Sequence, residues 1–291
     1  MASSHGVTAA WWPTGTADAG RYPLASPPDG ARSAPERQRG GRVGGQGTGD
    51  GSPRLARVGQ HAELPAALDA LGVPRPRPVL LMVGGAGGMD EAARQTLAVV
   101  LRDAVVPSVE QHGAVVVDGG TDSGAMRMLG RERAARGGGF ALVGVAATGT
   151  VRVPGGGPVI DDAAELERNH SHALLVPGNA WGDESPWLGA VAAAIAGERP
   201  WLTVLVNGGE ITYADAAGSV DRGRPLVVLA GSGRAADAIA DARAGRDADP
   251  RATAIARSAL TRVVAVDDVA GLRTTVDALL AGEDGSGKAL P

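Results

Sequence analysis

The 291-residue chain is 44% hydrophobic and 3% aromatic, which allows one large α/β domain or two small ones with an aliphatic core. A net charge of -4 and a pI near 5.8 exclude a general nucleic-acid binder, and no apolar run approaches the roughly 20 residues of a membrane span. Cysteine is absent and 27 of the 28 basic residues are arginine, the exception being Lys288, so thiol chemistry, a P-loop lysine and a Schiff-base lysine are excluded together.

Residues 1–54 are dominated by Gly, Pro, Ser, Ala and Arg without apolar periodicity, and such a segment cannot offset its ordering entropy by burial. A disordered tail is expected there. The opening residues lack the charged-then-apolar layout of a secretory signal, so the expected location is the cytoplasm. From Glu63, "ELPAALDALG" reads as a short helix leading into a single domain over 55–282, followed by a flexible tail at 283–291.

From Pro78 onward, short β-branched runs alternate with helical stretches. In chain order the strands are "PVLLMVGG", "AVVVDGG", "FALVGVAA", "HALLVPG", "WLTVLVNGG", "PLVVLAGS" and "TRVVAVDD". Helices between them include "DEAARQTLAVVLRDAVVPSVEQHG", with a break or kink expected at Pro107, and "ESPWLGAVAAAIAGERP"; "VAGLRTTVDALLAG" closes the domain. This alternation predicts a Rossmann-like, doubly wound, mainly parallel sheet of about seven strands in a three-layer αβα sandwich.

Glycine contributes 45 residues and ten Gly-Gly pairs, against about seven pairs expected from composition alone, so only glycines placed just after strands carry information. Four strands end that way: "GGAGG" after the first, "DGGTDSG" after the second, "NGG" after the fifth and "GSGR" after the sixth. In a parallel sheet these turns share one edge, where helix N-termini present unpaired N–H groups to an anion. Thr121, Ser123 and Ser232 add hydroxyl donors. Arg234 stands in a first helical turn, where an anion would relieve its conflict with the helix dipole. The stretch "LAGSGRAADAI" (229–239) also fits the G-x-G-x-x-A dinucleotide fingerprint, but it follows the sixth strand instead of opening the first βαβ unit. In "RNHSHALLV", His170 and His172 would face the same side if both lay in the strand; no third ligand is evident, so hydrogen bonding is favoured and no metal is expected. Trp181 and Trp187 flank "GDESP" and suit either core packing or stacking on a base.

Three stretches in this order, "VDGGTDSGAMRMLG" (117–130), "NHSHALLV" (169–176) and "VVLAGSGRAAD" (227–237), resemble the SLOG superfamily, named for the DNA-processing Smf proteins and the LOG phosphoribohydrolases. Within it they are most similar to the branch that forms the amino-terminal domain of melastatin-type TRP channels, here as a prokaryotic stand-alone form without the channel region. The resemblance covers roughly residues 78–280. It implies a Rossmann-like domain that senses a nucleotide-derived ligand such as ADP-ribose, with no further cofactor required. The ligand-facing positions it implies are Gly84, Gly85, Gly119, Gly120, Thr121, Ser123, Gly124, Gly208, Gly209, Gly231, Ser232, Gly233 and Arg234. Thr150 and Arg152 in "TGTVRV", and His170, extend the set. Homo-oligomers are common among SLOG relatives, and a sensor needs an effector, which the sequence does not identify.

The LOG hydrolases carry "PGG-x-G-T-x-x-E" between a strand and a helix, where this chain has "VPGNAWGDES". Asn179 replaces a glycine, Asp183 stands where threonine would be and Glu184 comes early for the acid. The look-alike "VPGGGPVIDDAAE" precedes the fourth strand and reads as a loop. N-glycosidic cleavage needs a carboxylate at the reacting centre, which Asp183 or Glu184 would supply; neighbours at a helix start do not face each other, so at most one is catalytic. Both residues equally suit a helix cap. Ligand binding is the favoured reading, nucleoside-monophosphate phosphoribohydrolase activity the alternative, and a scaffold that has lost its ligand a third.

Overall fold

The computed structural model describes residues 53–85, 89–153 and 155–283. Most of the expected amino-terminal tail (1–52), Gly87 and Gly88 of "GGAGG", and the tail beyond 283 lie outside the described residues.

Eight parallel strands form one sheet in the order β1-β7-β4-β3-β2-β8-β9-β10. They are β1 (Arg54–Arg57), β2 (Val79–Gly84), β3 (Val115–Asp118), β4 (Leu142–Ala147), β7 (His172–Val176), β8 (Trp201–Val206), β9 (Leu226–Ala230) and β10 (Thr261–Ala265). The seven expected strands are all present. The eighth, β1, pairs along the outer edge of β7, with Arg54 opposite His172. Two-residue strands β5 (Val151–Arg152) and β6 (Ala164–Glu165) pair separately within the connection from β4 to β7.

The central strands are apolar on both faces because helices cover both. Along β2, Val79, Leu81 and Val83 enter one core layer while Leu80 and Met82 enter the other. The first layer receives α1 (Leu64–Leu71), α5 (Ser185–Ala196), α6 (Glu210–Asp221), α7 (Arg234–Arg243) and α8 (Pro250–Arg257). The second receives α2 (Glu91–Val100), α3 (Val106–His112), α4 (Gly124–Ala135) and α9 (Val269–Ala281). The result is the three-layer αβα sandwich that the alternation predicts.

The long helix after β2 is interrupted at the place Pro107 dictates. Proline has no N–H and its ring would press on the carbonyl four residues earlier, here Asp103. The preceding turn, Leu101–Val105, widens into a π-helix in which the Val106 N–H bonds to the Leu101 carbonyl. No helix among the described residues is long and apolar enough to cross a membrane.

The neighbours β2 and β8 send their helices to opposite faces: α2 follows β2 into the second layer and α6 follows β8 into the first. Such a switch point leaves a crevice outside the carboxyl ends of the strands, where open α/β sheets bind ligands.

Candidate functional site

A cleft of about 180 Å³ opens at this crevice. Its floor is the end of β2, Met82 to Gly84, and one side is built by Gly119, Thr121 and Ser123 after β3, with Met126 from α4. Thr150, from the turn after β4, adds a third strand end. The opposite side comes from Trp181, Glu184 and Leu188 around the start of α5 and from Ile211, Thr212 and Asp215 of α6. Among the described residues no basic side chain lines the cleft. Any positive potential there comes from helix ends.

The turn after β3 is held open towards this space. Ser123 is the N-cap of α4 in extended backbone yet makes no side-chain cap bond; its hydroxyl lies 3.1 Å from that of Thr121. The twelve-residue α4 therefore directs its first N–H groups outward without a local acceptor from its cap. Behind the turn lies a buried charge network. His170 bridges two carboxylates, its Nε2 lying 2.8 Å from Asp118 Oδ1 and its Nδ1 2.8 Å from Glu167 Oε2. Burial opposes protonation of the ring, but Asp118 and then Glu167 outweigh it and push the pKa up to about 9. Asp118 Oδ1 also accepts from the Gly120 N–H at 2.7 Å, and the Glu167 N–H donates to the Gly120 carbonyl at 2.9 Å. Gly130 of α4 makes room for this network, since a Cβ there would fall 2.1 Å from Glu167 Oε2. His170 thus precedes β7, which begins at His172, and the two rings do not form the same-face pair that the sequence suggests. His172 is instead kept neutral: burial, and then Arg54 and Arg133, lower its pKa to about 4.

Adjacent acids have separate tasks. Asp183 Oδ2 accepts from the N–H groups of Asn179 at 2.8 Å and Ala180 at 3.0 Å, closing the loop after β7. Glu184 faces the cleft, accepts from the Gly182 N–H at 3.1 Å, and has its pKa raised by burial and by Asp183. On the same side stands Asp215, which the sequence reading did not single out. Burial and the neighbouring Glu184 carboxyl push its pKa up to about 6. The available signal was a polar stripe, Thr212, Asp215 and Ser219, on the face of α6 where apolar residues belong. Of the two tryptophans, Trp187 is buried against His61, with ring centroids 4.0 Å apart, whereas Trp181 stands at the cleft mouth and donates to Asp162 at 3.0 Å.

With this geometry in place, residues 77–273 match the family described as "SLOG in TRPM, prokaryote". The chain belongs to this family. It is also similar to "Transient receptor potential cation channel subfamily M member 2" of Mus musculus, 26% identical over 208 residues, taking in 58% of this chain and 13% of the channel. The Rattus norvegicus protein of that name is 26% identical over 212 residues, 60% of this chain and 14% of the channel. The SLOG chain thus spans only a small part of the curated relatives it matches.

The remaining SLOG motif residues stand at the same sheet edge but outside the cleft lining. Gly85 packs on the turn after β8, where a Cβ would come 3.4 Å from Gly208 Cα, and Gly120 lies against Gly144 of β4. Gly124, next to Ser123, borders an outer groove with Arg94 and Arg127. The "GSGR" turn is satisfied internally: Ser232 Oγ accepts from the Asn207 N–H at 2.8 Å and donates to the Leu229 carbonyl at 2.6 Å, and the Gly231 N–H donates to Asp237 Oδ1 at 2.6 Å. The first N–H groups of α7, Ala235 and Ala236, go to the carbonyls of Gly208 and Asn207. Gly233 faces the Asn207 side chain, and the Arg234 guanidinium lies over Gly209 at the start of α6. Arg152 holds the connection before β7 through the carbonyls of Ala163 and Asp161.

Proposed function

We propose that this SLOG domain binds a nucleotide-derived ligand, ADP-ribose or a close relative, in the cleft at the carboxyl end of β2, as the sensor of a prokaryotic signalling system. The observation that carries the reading is the pairing of two unlike walls. On one side an uncapped helix start, with Gly119, Thr121 and Ser123, suits phosphate; on the other, Trp181, Leu188 and Ile211 suit a base. The family match and the weak similarity to the melastatin-type channels support it.

The test is a thermal-shift panel of nucleotides, with chromatography of each compound that stabilises the protein. At one hundred times its dissociation constant a ligand adds about 2.7 kcal/mol to stability, which raises the melting temperature by several degrees. ADP-ribose or a relative is expected to do so and to be recovered intact. Stabilisation by no nucleotide derivative overturns the proposal.

Glu184 facing the cleft with a raised pKa favours one second reading, hydrolysis of a nucleoside monophosphate at its N-glycosidic bond. In that case AMP or a related monophosphate yields free base and ribose 5-phosphate, and Glu184→Gln abolishes the release.

A further inference from the structure

Trp181 reaches the cleft mouth from a loop whose backbone is already fixed. Asp183 Oδ2 accepts from the Asn179 and Ala180 N–H groups, and the Gly182 N–H donates to Glu184. The indole residue is 37% exposed, and its Nε1–H donates to Asp162 Oδ2 at 3.0 Å, in the connection between β5 and β6. An exposed N–H is satisfied by water, so the donor does not need a carboxylate for its own sake. What the bond adds is direction, because it ties down one edge of a ring that otherwise samples several rotamers.

Asp162 is itself held in place. The Arg152 guanidinium donates to the carbonyls of Asp161 and Ala163, the residues on either side of it. The Ile160 N–H donates to the Gly149 carbonyl at 2.8 Å and the Ala164 N–H to the Thr150 carbonyl at 3.0 Å, so the segment is fastened at both ends to the turn after β4. Thr150 of that turn lines the cleft. Core packing does not account for these ties, since of the described residues between 155 and 163 only Ala163 is buried. The stretch "VPGGGPVIDDAAE", which imitates a catalytic signature in letters, thus presents one carboxylate to one ring at the cleft mouth.

We infer that Asp162 is a positioning residue for ligand recognition: clamped by Arg152, it fixes the Trp181 indole at the cleft mouth in the orientation that receives the ligand. This rests on the binding reading above and adds how the ring is made ready. Arg152, which the family resemblance places among the ligand-facing residues, then acts at one remove, through the backbone of Asp162. A ring oriented beforehand spares the ligand the entropy of ordering it, which for one such side chain amounts to about three- to tenfold in affinity.

The experiment measures affinity of the full chain by calorimetry for ADP-ribose and AMP, in the wild type, Asp162→Ala, Trp181→Phe and the double variant. Phenylalanine keeps an aromatic face but has no N–H for Asp162 to hold. Asp162→Ala is expected to weaken binding about three- to tenfold in the wild-type background and by less than about twofold in Trp181→Phe, because the two residues act as one unit. Asp162→Asn, which keeps a side-chain oxygen acceptor, is expected to restore most of the affinity. Unchanged affinity in Asp162→Ala overturns the inference while leaving the binding reading intact. So does an equal loss in both backgrounds, the mark of a role apart from the ring, and so does an Asp162→Asn protein no better than Asp162→Ala. Binding of neither compound by the wild type overturns both. Asp162 is exposed, so its removal leaves the core untouched, and the comparison of its two variants does not depend on the Trp181 substitution.

Discussion

His170 and Asp118 meet at 2.8 Å with neither side chain reaching solvent. Glu167 closes on the other ring nitrogen, so one imidazolium stands between two buried carboxylates. Removing the ring leaves both acids without their shared partner, and breaking a buried pair from one side is strongly destabilising. His170→Ala is expected to lower unfolding stability by about 3–5 kcal/mol in chemical denaturation. A loss below about 1 kcal/mol means that the network does not hold the turn after β3.

The same network sets a pH window. His170 titrates near 9 when folded and near its ordinary 6.5 when unfolded, so between those values the native state holds the extra proton. Its contribution is complete below about pH 6.5 and is lost as the pH rises through about 9. His172 has the opposite sign: with its folded pKa at about 4, stability falls as the pH drops from 6.5 toward 4. Melting temperatures should therefore decline on both sides of neutrality, and His170→Asn should flatten the alkaline limb selectively.

At the switch point the backbone leaves no space for a side chain. A Cβ on Gly84 would fall 2.0 Å from the Val206 carbonyl oxygen, on the neighbouring strand with which Gly84 is in register. Gly84→Ala must push β2 and β8 apart at the cleft floor. A loss of about 2–3 kcal/mol is expected in denaturant titration, together with weakened ligand binding. Gly157 is a control, because a Cβ there meets nothing within 4 Å.

How much of this was legible in the sequence depended on whether the deciding contacts were local. Seven strands showed because β-branched runs mark them; the six inner ones are buried on both faces, as in "VLLMVG" of β2, and the edge strand β10 carries the run "TRVVA". Strand β1, "RLAR", did not, since a short edge strand with two exposed arginines has no run to detect. The turn after β3 could be placed from the sequence because it runs directly from a strand into a helix, and Gly119, Thr121 and Ser123 do line the cleft. The "GSGR" letters look equally suited to phosphate, yet the Gly231 N–H is taken by Asp237, the Ser232 hydroxyl is held between Leu229 and the Asn207 N–H, and the Ala235 and Ala236 N–H groups go to the turn after β8, which is a tertiary fact. Asp215 lay hidden for the converse reason: it sits mid-helix, outside any glycine turn, and only the packing of α5 beside α6 brings it to Glu184.

Asp215 gives a test in which burial of a carboxylate sets the sign of a pH dependence. Its folded pKa of about 6 lies above the 3.8 of an ordinary aspartate, so between those values the native state binds more protons than the unfolded chain. Stability contributed by this group therefore falls as the pH rises from about 4 to about 6, and above that the full cost of the buried carboxylate remains. Asp215→Asn removes that titration. Because the side chain is only partly shielded, the gain is discounted to on the order of 1–2 kcal/mol at pH 7.5, vanishing below about pH 4. Glu184, raised in the same direction, keeps a residual slope in the variant. Paired melts of wild type and Asp215→Asn across pH 4 to 8 read the difference directly. A variant less stable than wild type at pH 7.5 shows that the Ser185 hydroxyl more than offsets the cost of burying the carboxylate.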